Sequence, residues 1–171
     1  MAVINNYVDT DIVAGKLGVN TRVQGGQMRT AIQSFVVGST DAAGSIYRIF
    51  KGMSPDIVIK SVRLYNDALT GATSVSFGAY GVLDLDGVGA IVGSGNQIAS
   101  AVDISAGNPV TATSLVFDKQ ISIVNREVPL FTLVGHTQST KLPAYDLCLT
   151  MTAMTTGATG NVCVVLEYVQ L

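Results

Sequence analysis

"DIVIKSVRLYND", residues 56–67, alternates like a β-strand and then falls out of step. Ile57 and Ile59 lie on one face, yet the next apolar residues, Val62 and Leu64, lie on the other. One extra residue at Lys60 and Ser61, a β-bulge, returns Ile57, Ile59, Val62 and Leu64 to a common face. Val58, Lys60, Ser61, Arg63 and Tyr65 then share the opposite one. So repaired, the stretch is a strand with a core side and an amphipathic side, the latter a mixture suited to contact with another surface. Residues 73–86 alternate without a fault. Val75, Phe77, Ala79, Gly81, Leu83 and Leu85 form an inner face, and Ser74, Ser76, Gly78, Tyr80, Val82, Asp84 and Asp86 an outer, mostly wet one. Asp86 and Gly87 then signal a type I′ hairpin turn, because both central residues need positive φ.

The same reading, carried along the chain, finds short β-rich runs punctuated by Gly, Asn, Asp and Ser. They are "SFVVG", "SIYRIFKG", "DIVIKSVRLYN", "TSVSFGAYGVLDL", "GAIVG", "SLVFDKQISIV", "YDLCLTMTA" and "NVCVVLEYV". About eight strands predict an all-β protein, a jelly-roll-like β-sandwich. One short helix is expected in "NREVPLFTLVGH", with Asn125 as N-cap, Pro129 in the first turn and Gly135 as the stop, plugging one end of the sandwich. Residues 1–43 read as an extended N-terminal arm and first strand, and residues 44–171 as the sandwich domain.

Composition bears on use. Of the 171 residues 13% are charged, half the typical share, while 48% are hydrophobic and the formal net charge is −2. An exterior this neutral predicts a chain that covers part of its surface with copies of itself or a partner. Net acidity argues against direct nucleic-acid binding. Residues 1–63 are nevertheless net basic and the remainder net acidic, so the basic part could meet an acidic neighbour. No targeting leader is visible, and the uncharged run 147–166 resolves into two strands better than into a membrane span. Pairing those strands as a hairpin, in the register that unites their apolar faces, staggers Cys148 and Cys163 by roughly 13 Å. That exceeds the reach of a disulfide, so free thiols and a reducing compartment are expected.

Chemistry-bearing patterns are sparse. His136 is the only histidine. It follows a helix-stopping glycine and suits a structural role better than a metal site or a catalytic triad. "DLDG" at 84–87 begins like a calcium loop, but Val88 and Gly95 stand where the later ligands are needed. Paired acids of a glycosidase would have to come from Asp84, Asp86, Asp103 or Asp118, with nothing fixing their separation. "GVGAIVGSG" lacks phosphate-loop spacing. No catalytic activity, cofactor or metal is expected.

The runs "SIYRIFKGMSPDIVIKSVRLYNDALTGATSVSFGAYGVLDLDG", "VPLFTLVGH" and "AYDLCLTMTAMTTGATGNVCVVLEYV", together with "QGGQMR", resemble the decoration (cement, or head-stabilising) proteins of tailed bacteriophages over about residues 25–169. The most specific parts are the "KG" turn before an "IIKSV"-like strand, the short apolar helix before a "YDL" strand, and a final Thr/Gly/Ala-rich hairpin. Residues 104–124 depart most. The resemblance implies a jelly-roll-like fold, self-association as a dimer or trimer, and a place on the virion exterior after synthesis in the host cytoplasm. There the protein would dock on the major capsid protein and tie adjacent capsomers together. On that expectation Arg22, Gly25, Gly26 and Arg29 of the arm, and Lys60, Arg63 and Tyr65 of the outer strand face, are the candidate contacts. The alternative is a carbohydrate- or receptor-binding β-sandwich. A hydrolase on the same scaffold is disfavoured by the poverty of histidine and paired acids.

Overall fold

The computed structural model describes residues 27–69, 71, 73–81, 95–115, 128–136 and 144–170. Among them the chain forms eight strands and one short helix: β1 (Met28–Val37), β2 (Ile46–Met53), β3 (Ile57–Asn66), β4 (Ser74–Gly81), β5 (Ala99–Asp103), β6 (Asn108–Ser114), α1 (Leu130–Leu133), β7 (Tyr145–Ala153) and β8 (Gly160–Gln170). Two four-stranded antiparallel sheets result, ordered β1-β8-β3-β6 and β2-β7-β4-β5. The pairs β1·β8, β2·β7, β3·β6 and β4·β5 share a rule: their strand numbers add to nine. This is the pattern of one long antiparallel ribbon rolled up on itself, with β8·β3 and β7·β4 closing each sheet, and it is jelly-roll topology.

Between the sheets lies a single apolar core. Ile57, Ile59, Val62 and Leu64 of β3 and Val162, Val164 and Leu166 of β8 face Val75, Phe77 and Ala79 of β4 and Tyr145, Leu147, Leu149 and Met151 of β7. The bulge forms where the alternation requires it: the β3·β8 register steps from Ile59↔Tyr168 to Ser61↔Glu167, leaving Lys60 as the extra residue.

Several expectations change. The last two strands do not form a hairpin. β7 pairs with β2 and β4, and β8 with β1 and β3, because their apolar faces meet across the core instead of lying side by side. Both thiols are free, as expected, but for a different reason: Cys148 and Cys163 alternate with core residues on opposite sheets and so lie on opposite outer sides of the sandwich. The outer face of β4 is not wet: Ser76 and Tyr80 are almost fully buried. The segment around Gly95 and Gln97 covers it, and the Gln97 side-chain amide accepts from the Ala79 N–H at 3.0 Å and donates to the Ala79 carbonyl at 3.3 Å.

The first strand begins at Met28, not Ser34, so Arg29 belongs to a sheet and not to an arm. β5, and all of β6 except Ser114, fall outside the strands expected from sequence. The helix is one turn long and starts after Pro129, which stands at its N-cap with φ −60° and ψ 153°. Its end is as read, with Gly135 at φ 82°. Leu130, Phe131 and Val134 join the core, and the Phe131 N–H reaches the Pro55 carbonyl at 3.1 Å. The His136 Nδ1 lies 2.9 Å from the hydroxyl of fully buried Tyr145, giving that phenol its partner. Arg22, Gly25, Gly26, Asn125, the 86–87 turn and the "GAIVG" stretch lie outside the described residues.

Candidate interaction surface

The outer face of the β1-β8-β3-β6 sheet is built in cross-strand rows. Register places Met28, Val169 and Val58 side by side, then Thr30, Glu167 and Ser61, then Ile32, Val165 and Arg63, and then Ser34, Cys163 and Tyr65. Toward β3 the face is polar and internally engaged. Arg63 forms an ion pair with Glu167, while its Nε is buried without a hydrogen-bond partner among the described residues. Tyr65 is half-buried beside a shallow hollow of about 180 Å³ lined also by Ser34, Asp67, Pro109, Asn161 and Cys163. The Asp67 carboxylate is occupied there: it accepts from the Asn161 N–H at 2.9 Å and from the Asn161 side-chain amide at 2.8 Å. Those two hydrogen bonds hold its pKa below the ordinary carboxylate value.

Toward β1 the same face turns apolar and open. Met28, Ile32 and Val36, four residues apart and therefore on one side of the strand, are 64%, 63% and 64% exposed. Besides its ladder with β8 and the partial packing of Ala31 on the core, β1 is anchored at its far end. Val37 is fully buried, and the Phe35 ring stacks on Tyr47 of β2 with centroids 4.4 Å apart. Tyr47 donates its hydroxyl to Asp41, which in turn accepts the Gly38 N–H at 2.6 Å. Burial, and then the Asp41 carboxylate, raise the tyrosine pKa far above its ordinary value.

Of the sequence-predicted contacts, Lys60, Arg63 and Tyr65 occur together on this outer face, whereas exposed Arg29 sits on β1 opposite Tyr168, on the other side of the strand. The apolar stripe itself escaped sequence reading. Its signal was present in "MRTAIQSFVV", where Met28, Ile32 and Val36 alternate with Ala31, Phe35 and Val37, but glycines before it favoured an arm.

Elsewhere the surface offers little for chemistry. Among the described residues no three His, Cys, Asp or Glu side chains converge on a possible metal site, and no helix is long and apolar enough to cross a membrane. Asp103 accepts from the Ser105 N–H and hydroxyl at 2.9 and 2.7 Å, which is turn chemistry.

The fold and this open face define an all-β sandwich with an amphipathic outer sheet. No protein-family model matches the chain, and no curated protein matches it in sequence. Two solved structures share the fold. A chain of the capsid of Ralstonia phage GP4 aligns at 17% identity with a TM-score of 0.56, over 85% of this chain and 86% of that one. A chain of the cyanophage Pam1 capsid asymmetric unit aligns at 14% identity with a TM-score of 0.50, over 86% and 87%.

Proposed function

We propose that this chain is a structural component of a phage virion that decorates the capsid exterior, binding the major capsid protein and linking adjacent capsomers. The observation that carries the reading is the likeness of nearly the whole sandwich to chains from two phage capsid structures. The surface agrees with it, being poor in charge and open along Met28, Ile32 and Val36. A decoration protein needs interfaces and no turnover, and a lattice multiplies modest contacts through avidity. Lys60, Arg63 and Tyr65 are the contacts we assign to the polar half of the outer face.

The test is addition of the purified protein to preformed empty capsids built from the major capsid protein of the same genome. Saturable co-sedimentation at a fixed number of copies per capsid supports the reading, and absence of binding overturns it. A carbohydrate-binding module is the second reading, favoured only by the hollow beside Tyr65. A glycan array that gives specific binding lost in Tyr65→Ser would replace the first reading with this one.

A further inference from the structure

Among the described residues each sheet has two edge strands, and three of the four are blunted. β2 carries two register irregularities and Lys51. β5 has only five residues, with an irregular register and a non-glycine residue, Ala101, at φ 50°. β6 contains Pro109 and a register shift. Such bulges, prolines, lysines and short lengths are the devices that keep sheet edges from joining other edges. β1 has none of them. It runs ten residues in unbroken register with β8, contains neither proline nor lysine, and pairs with no other strand among the described residues.

We propose that the open edge of β1 is a self-association site, where β1 of a second copy of this chain adds antiparallel about a two-fold axis at Ile32, joining two four-stranded sheets into one of eight. The inference rests on the self-association part of the reading above. The sequence of β1 is self-complementary in this register. Ile32 meets its own copy, Met28 meets Val36 and Thr30 meets Ser34, so apolar pairs alternate with hydroxyl pairs along the seam. On the opposite face Arg29, the only charged residue of β1, falls opposite Phe35, where an aromatic face suits a guanidinium. The two arginines lie at opposite ends of the ribbon, so no like charges face each other. Any antiparallel self-pairing with Ile32 on the axis also brings outward-pointing N–H groups onto outward-pointing carbonyls, for roughly eight to ten main-chain hydrogen bonds.

The test uses the full chain free in solution, without capsids, so its outcome is separate from that of the capsid assay. Sedimentation equilibrium of the wild type should give twice the chain mass. Ile32→Lys and Ile32→Glu, each placing like charges directly opposite on the axis, should each weaken association by at least about tenfold. An equimolar mixture of the two should restore it. Should either variant fail to fold by circular dichroism, hydrogen exchange of the wild type decides instead. The β1 amides that face away from β8 should gain protection on concentration and lose it on dilution. A wild type that stays monomeric at roughly 100 µM overturns the proposal. So do variants that associate as the wild type does, which would leave the edge to residues 1–26 or to another partner, and so do β1 amides indifferent to concentration.

Discussion

Asp146 is 1% exposed on the outer side of β7, and three donors explain how its charge is tolerated there. The Arg48 Nε lies 2.7 Å from one carboxylate oxygen, with a second guanidinium nitrogen at 2.5 Å, and the Gly52 N–H reaches the other oxygen at 2.7 Å. Asp146→Ala leaves those donors without an acceptor, and denaturant unfolding should show a loss of about 3 kcal/mol. Two residues on, Cys148 is fully buried. Burial first, and then the Asp146 charge, push its thiol up to about 12. At pH 8 iodoacetamide should therefore modify half-exposed Cys163 in the native protein and reach Cys148 only after unfolding. Because the folded pKa of Cys148 is raised, its contribution to stability is complete below the ordinary value of 9.0 and declines as pH climbs from there toward 12. Asp67 has the opposite sign. Its contribution is present above the ordinary carboxylate value and is lost as pH falls through its lowered one, so Asp67→Asn should flatten the acid side of a plot of Tm against pH. None of these surroundings is legible in the sequence. The Asp146 cluster joins residues 94 and 98 positions apart, and alternation along β4 cannot reveal that Gln97 returns to cover Gly78 and Gly95 to cover Tyr80.

Strand 57–66 was legible for a physical reason: each inward position is a large apolar residue, so a single slip is visible as a change of face. That makes the bulge testable. Deleting Lys60 keeps Ile57, Ile59, Val62 and Leu64 inward and should lower Tm by no more than roughly 5 °C. Deleting Arg63 turns Leu64 and Asn66 outward and should abolish cooperative melting. β5 and β6 were less legible because "ASAVD" and "NPVTATS" are small and polar. They are strands because β4 and β3 present ladders for them to join, a tertiary cause that overrides weak local preference. The helix illustrates a different limit. Its apolar spacing and its terminating glycine were readable, but Pro129 holds an extended ψ and so shortens the helix to one turn.

Across the described residues, the all-β class and the two-layer architecture could be read, but the pairing could not. Adjacent strands with matching apolar faces suggest a hairpin, and consecutive strands often do pair. Here the connection between β7 and β8 crosses the core, because each of them is needed at the centre of a different sheet. The candidate surface shares this property. Lys60, Arg63 and Tyr65 could be placed on one face from β3 alone, whereas their neighbours Ile32, Ser34 and Cys163 arrive from strands more than twenty residues away in sequence.

The central place of β8 also dictates when the protein can come into being. Among the described strands it is the last to be synthesised, and both β1 and β3 take ladder partners from it. Until residues 160–170 emerge, that layer has no middle, and β1 and β3 both wait on a strand made long after them. Nascent chains halted before Gly160 should accordingly stay protease-sensitive, while chains whose residues 160–170 have cleared the ribosome should gain protection in a single late step, so that the free ladder edge of β1 exists only where β8 is already in place.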